Sequence, residues 1–415
     1  MTGSRHVYYL AGYDAARAGT HYRRFAQQLE IFKRTWNVDV TLSDMERCDT
    51  RSSVSWATSA RAPGWHVDTV HEVLLWDDIV RDDLARPLAR RLVEAARAYF
   101  DFVATGTVLR FAMANWRYAV FFLYPLIGFA LFAGCAWIFA RLLSDALSPS
   151  GLNPALVGSL SGLILFVVLM RLIGARLRLM LLLDLWSFAE DYVYRRRPGL
   201  EARLDRFAKL IVDHARDAAV DEIVIVGHSL GAMLAIDVLD RALGSDPDFA
   251  RERPPICLLT VGATIPKFTL HKRADRARNA VARVAAEPAI DWTEIHSRDD
   301  VISFYKFDPV SLQRLASNRL NGKPVVRCVQ IHDMLQPATF WRNRLDLLRF
   351  HYQCVMANDK PAAYDYFLAV CGPVPFERWT ESPRGLLDFV AADIPRSQQA
   401  IGRMTVAQLS DRVRI

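Results

Sequence analysis

The sequence predicts an α/β protein whose doubly wound, mostly parallel sheet is interrupted by a two-helix transmembrane hairpin. Three observations carry that expectation. Strand-like and helical runs alternate in both halves of the chain. The apolar run Ile223-Val224-Ile225-Val226 leads through Gly227-His228-Ser229-Leu230-Gly231 into a helical stretch. Two long segments near the middle carry no charge.

The first soluble part reads as strands at Val7 to Leu10, Val38 to Leu42 and Val70 to Trp76, with helices at Thr20 to Thr35 and Ile79 to Tyr99. From Tyr118 to Ala140 run 23 uncharged residues, and from Ala146 to Met170 another 25. Each is long enough to cross a hydrocarbon core as a helix. Ser148-Pro149-Ser150-Gly151 and Asn153-Pro154 supply the turn, which leaves Ala155 to about Gly174 as the second span. Trp116, Tyr118, Tyr124 and Trp137 lie near the ends of the first span, as interfacial aromatics do.

Charge sets the expected orientation. Arg110 and Arg117 precede the hairpin and Arg171, Arg176 and Arg178 follow it, whereas the turn carries only Arg141 beside Asp145, so both flanks are expected in the cytoplasm. Leu177 to Val193 is apolar up to Asp184 and reads as an interfacial or core helix, too short for a third span. Beyond it come a helix at Glu201 to Ala218 and strands at Ile256 to Val261, Trp292 to His296 and Val325 to Ile331. Neither half has strands enough for a covered sheet, but together they give about seven.

The expected organisation is therefore one domain in two pieces. Residues 1–110 and 179–371 form it, 111–178 are the hairpin, and 372–415, with Pro373, Pro375, Pro383 and Pro395, are an irregular covering extension. With 415 residues and 52% hydrophobic content the chain has ample core. The net charge of +7 is spread among interleaved acids, which argues against nucleic acid and for a membrane surface. Cysteines 48, 135, 257, 328, 354 and 371 form no C-x-x-C pair, so neither a zinc site nor a disulfide framework is expected. The apolar run at Val7 to Leu10 is too short for a signal-peptide core, which fits a cytoplasmic start.

Gly227 to Gly231 has the form G-x-S-x-G. Set between a strand and a helix, this pattern turns the backbone sharply and presents a serine hydroxyl at the helix N-terminus. A nucleophile there needs a base and a group to orient it, which follow in the order serine, acid, histidine in folds with this elbow. The acid is sought after a late strand, at Asp299 or Asp300. The histidines beyond are His332, close behind the last strand, and His351, farther downstream and the preferred base. An aspartate in this place also suits an N-cap before Val301 to Lys306.

With these residues the chain resembles the α/β-hydrolase superfamily, in particular membrane-anchored lipases and esterases, over about residues 5 to 105 and 195 to 360. Asp299-Asp300-Val301 is similar to the Asp-x-Val-Pro loop of many lipases, with Ile302 for the proline, which favours Asp299 over Asp300. Leu10-Ala11-Gly12-Tyr13 is similar to their His-Gly oxyanion loop, with Ala11 for the histidine. The resemblance implies backbone donors at Leu230 and Tyr13. It implies hydrolysis of an ester, thioester or amide through an acyl-enzyme on Ser229, with no metal or organic cofactor. The hairpin tilts the expected substrate toward a lipid or lipophilic ester. The alternative is a non-catalytic scaffold or interaction protein of the membrane. A transporter accessory is disfavoured because the spans hold no central ionisable residue.

Overall fold

The computed structural model describes residues 2–147, 153–217, 219–251, 254–315, 322–344, 346–382 and 384–390. The expected turn residues Ser148 to Gly151, and Pro383 and Pro395 of the extension, lie outside them. The chain forms β1 (Thr2–Leu10), α1 (Ala18–Trp36), β2 (Asp39–Leu42), β3 (Glu46–Cys48), β4 (Ser53–Ala62), β5 (Trp65–Leu74) and α2 (Asp77–Ala85). Next come α3 (Leu88–Ala104), α4 (Thr107–Ala114), α5 (Trp116–Leu147), α6 (Pro154–Leu169) with a π-helical turn at Met170–Gly174, and α7 (Leu179–Val193).

The remainder is α8 (Pro198–Asp217), β6 (Glu222–His228), α9 (Gly231–Ser245), β7 (Ile256–Val261), α10 (Ile265–Thr269), α11 (Asp275–Ala286) and β8 (Ile290–Ser297). A small ribbon, β9 (Phe307–Asp308) with β10 (Gln313–Arg314), precedes β11 (Val325–Val329), α12 (Ile331–Met334) and α13 (Pro337–Asn343). The described chain closes with α14 (Leu347–Gln353), α15 (Tyr366–Cys371), α16 (Phe376–Glu381) and α17 (Leu387–Val390). Among its described residues, the expected irregular extension holds two short helices.

Two compact units result. One comprises residues 1–80, 197–270 and 274–415; the other comprises 81–196 with 271–273. The first holds a sheet of order β11-β8-β7-β6-β1-β5-β4-β2, with β3 also paired to β4. From β11 to β5 all pairs are parallel, whereas β4 runs antiparallel to β5, β2 and β3. This is an α/β fold with a mostly parallel mixed sheet. The buried run of β6 reflects its place in the centre, where both faces are covered.

Helices cover both faces, as alternate residues of β1 record. The Tyr8 hydroxyl meets Nδ1 of His214 on α8 at 2.7 Å, while Val7 and Tyr9 line a cavity shared with Phe25 of α1. Arg5 reaches the carbonyls of Ala369, Gly372 and Val374, and its guanidinium pairs with Glu222. That buried pair fixes the C-terminal segment to the sheet. The strands at 46–48 and 53–62 escaped the sequence reading because Ser53, Ser55, Ser59 and Arg61 dilute an alternation only half of whose residues need be apolar.

In the other unit, Pro87 divides the expected helix Ile79 to Tyr99 into α2 and α3, since proline lacks the N–H that an unbroken helix needs. Arg91 holds Asp184, and Arg97 holds Glu190 and Asp191, so α3 and α7 are joined by ion pairs. Phe102, Phe111, Phe122 and Trp186 pack ring to ring behind them. Helices 116–147 and 154–174 are each long and apolar enough to cross a membrane. They pack at Gly158 and Gly162, where a Cβ would come to 2.5 Å from the Ala140 carbonyl oxygen and 2.8 Å from that of Ala136. Small residues at i and i+4 permit this approach of the backbones.

Candidate active site

The strand order reverses between β1 and β6, because successive elements proceed from β1 toward β5 and from β6 toward β7, β8 and β11. Open sheets leave a crevice at the carboxyl ends of such a strand pair. Gly12 and Ser229 meet there: a Cβ on Gly12 would lie 3.0 Å from the Ser229 Cβ and 3.3 Å from its Oγ.

Ser229 has φ of 58°, a left-handed conformation that a residue with a side chain adopts at a cost. Its N–H donates to the Val261 carbonyl at 3.0 Å, and its carbonyl accepts from Ala232 and Thr264, both at 3.2 Å. These bonds impose the turn. A Cβ on Gly227 would sit 2.5 Å from the Ala232 Cα, and one on Gly231 would overlap the carbonyl oxygens of Leu10 and Ala11. Both glycines of the motif are thus required by close backbone approach.

His351, on α14, is buried, and its Nδ1 lies 2.8 Å from Oδ2 of Asp300. Its Nε2 is also buried and has no hydrogen-bond partner among the described residues. Asp300 is 3% exposed and accepts the Ile302 N–H at 2.9 Å through Oδ1. Burial alone would raise its pKa. The His351 charge and hydrogen bond, with the Ile302 N–H, outweigh burial and hold the carboxyl below its ordinary value.

Of the two candidate aspartates, the favoured Asp299 does not meet His351; Asp300 does. Asp299 Oδ2 accepts the Ile331 N–H at 2.8 Å, which ties the end of β8 to the start of α12, and His351 is held by its neighbour. Adjacent residues in a loop point different ways, and spacing alone does not choose between them. Residues 301–306 form turns rather than a helix. His332 is exposed and paired with Asp333 at 3.0 Å.

The N–H of Leu230, at the entry to α9, makes no hydrogen bond among the described residues. Tyr13 packs its ring on Trp76 and lies between Gly12 and Asp14, whose N–H donates to the Gly12 carbonyl at 2.8 Å. Asp14 was missed in the sequence. It accepts the Ala16 N–H at 3.0 Å, the Arg24 guanidinium at 2.8 Å and the Tyr352 hydroxyl at 3.0 Å, and so fastens the loop after β1 to the residue following His351. Burial opposes its ionisation, but Arg24 and Tyr352 prevail and lower its pKa. An aspartate two residues before an amide it accepts was the readable signal.

His228 does more than fill a motif position. It is buried, with its ring 4.9 Å from that of His351, and its Nε2 lies 3.2 Å from the His351 carbonyl oxygen. Burial, aided by the His351 charge, pushes its pKa down to about 3. A neutral His228 that donates through Nε2 holds the backbone of α14 against β6. Gly262, at φ 54°, completes the packing: a Cβ there would come to 3.2 Å from Asp300 Oδ2 and 3.3 Å from His351 Cε1.

The Ser229 hydroxyl after β6, the Asp300 carboxylate after β8 and the His351 imidazole on α14 thus gather at the carboxyl ends of the central strands. Among the described residues no cluster of His, Cys, Asp and Glu suits a metal ion. Compared with family models, curated proteins and solved structures, the chain matches none.

Proposed function

We propose that this chain is a serine hydrolase of the α/β-hydrolase type, anchored in a membrane by the α5–α6 hairpin and cleaving a lipophilic ester. The observation that carries the reading is the pairing of His351 with Asp300. With Nδ1 held by the carboxylate, Nε2 is the nitrogen left to take a proton.

In the proposed reaction, Ser229 Oγ attacks the ester carbonyl while its proton passes to His351 Nε2. The Leu230 and Tyr13 N–H groups are the proposed donors to the oxyanion. As the tetrahedral intermediate collapses and its C–O bond to the alkoxide breaks, His351 gives the proton to that oxygen; the alcohol departs and the acyl group stays on Ser229. Water, deprotonated by the same nitrogen, releases the acid. Asp300 orients His351 and stabilises the imidazolium, which makes it the acid of the triad.

Five arginines flank the hairpin, Arg110 and Arg117 before it and Arg171, Arg176 and Arg178 after it. Their excess over the turn supports a cytoplasmic hydrolase part. An alkyl fluorophosphonate distinguishes the enzyme from a scaffold: it should label membranes carrying the full chain and fail on Ser229→Ala. Absence of labelling on the wild-type chain in native membranes would favour the scaffold.

A further inference from the structure

A half-open cavity lies between α1 and the sheet. Ala11 and Asp14 of the proposed oxyanion loop line it, as does Tyr352, next to His351. Ser229 does not itself line it; Gly12, between Ala11 and Asp14, is the residue of this loop that meets Ser229.

Strand register gives the cavity a direction. Ala11 stands at the carboxyl end of β1, beside the site. Tyr9 pairs with Val73, and Val7, farther down, pairs with His71, itself opposite Trp56. From Ala11 to Val7 is about 13 Å at roughly 3.3 Å per residue. The charged groups, Asp14 and Arg24, lie toward the site and bond to each other. The inner wall is Val7, Phe25, Trp56, Val73 and Phe367, with His71 kept neutral because burial, then the nearby His6 and Arg5, drives its pKa to about 3.

We propose that this cavity is an acyl-chain site, which takes the hydrocarbon of a medium-chain ester of about eight to ten carbons, at about 1.3 Å of advance per carbon for C–C bonds near 1.5 Å. The proposal rests on Ser229 being the nucleophile, since the carbonyl end must lie at the oxyanion loop. No charged group lines the inner end, where the Gln28 amide oxygen already accepts the Ala357 N–H, and burial of each methylene strengthens binding roughly fourfold. Chain length is thereby selected.

Two measurements test this on the full chain. The first compares labelling rates of Ser229 by ethyl and decyl fluorophosphonates. Wild type should favour decyl at least tenfold, and Val355→Trp, which fills the cavity from its Tyr352 side, should abolish the preference while the ethyl rate stays within twofold. A decyl preference that survives in Val355→Trp overturns the proposal. If Val355→Trp loses both rates by failing to fold, Val355→Ala should shift the optimum to longer chains, and an unchanged optimum overturns it.

The second measurement does not need catalysis. Ser229→Ala protein is photolabelled with decanol carrying a terminal diazirine, and adducts should map to residues 21–28, 56, 71–73 or 352–367. Adducts confined to the hairpin helices overturn the site. Failure of all fluorophosphonate labelling with adducts in the cavity would sink the hydrolase reading and leave a hydrocarbon site standing.

Discussion

Asp300, not its neighbour Asp299, holds His351, with Oδ2 2.8 Å from Nδ1 and both side chains buried. Asp299 is bound instead to the Ile331 amide. One peptide unit separates a carboxylate that can orient a base from one that braces a strand end, and the two are expected to fail differently.

Asp300→Asn should lower kcat on a fluorogenic ester by roughly 10³- to 10⁴-fold, because the amide no longer fixes the imidazole tautomer. Asp299→Asn should cost less than tenfold in rate and, through the weakened Ile331 bond, about 1 kcal/mol of stability. Steady-state kinetics and denaturant titration of both variants check this. Equal losses of rate would refute the assignment.

Ser229→Gly should abolish fluorophosphonate labelling yet raise stability by about 1 kcal/mol, since glycine adopts a left-handed φ without the strain a side chain meets there. Thermal unfolding of the detergent-solubilised chain reads it. A lower Tm than Ser229→Ala would mean that no strain is stored at the turn.

Acid should weaken the fold before the carboxylates titrate. His71 and His228 have pKa values near 3 in the fold, below the ordinary value of about 6.5 that applies when unfolded. Between these values the unfolded chain binds more protons, so stability rises with pH across that window and falls as pH drops from about 6.5 toward 3. Asp300, whose pKa is lowered, adds stability above its unfolded pKa that is lost as pH falls through its folded one. Urea midpoints at pH 7, 5.5 and 4.5 should fall in that order, and His71→Phe should flatten the trend. A flat wild-type profile would count against buried neutral histidines.

Gly162→Leu should separate α5 from α6, because its Cβ has only 2.8 Å to the Ala136 carbonyl oxygen, at a cost of about 1–3 kcal/mol. Leu160→Ala, at an exposed position two residues away, should cost far less. A Tm series in one detergent compares them, and equal shifts would deny the close packing.

Much of this was legible in the chain. The elbow could be read because its chemistry is local: an apolar strand, two glycines where no Cβ fits, and a helix to follow. The two uncharged segments were legible for the same reason, since hydrocarbon length is a property of consecutive residues. The strands at 46–48 and 53–62 were not, because an edge hairpin with one polar face needs little apolar content, and their partner is known only once the sheet exists. Nor was Asp14 marked as a link to Tyr352, 338 positions away.

The sequence by itself determined the serine, its turn, the two apolar helices and the set of four acidic and histidine residues from which a triad could come. Only the tertiary structure decided that Asp300 meets His351 and that His332 faces outward beside Asp333. It also brought Gly12 and Gly262 close enough to wall the site. The reason is that backbone turns are set by near neighbours, whereas the direction of a carboxylate in a loop is set by what packs over it, here an α14 that arrives 51 residues later.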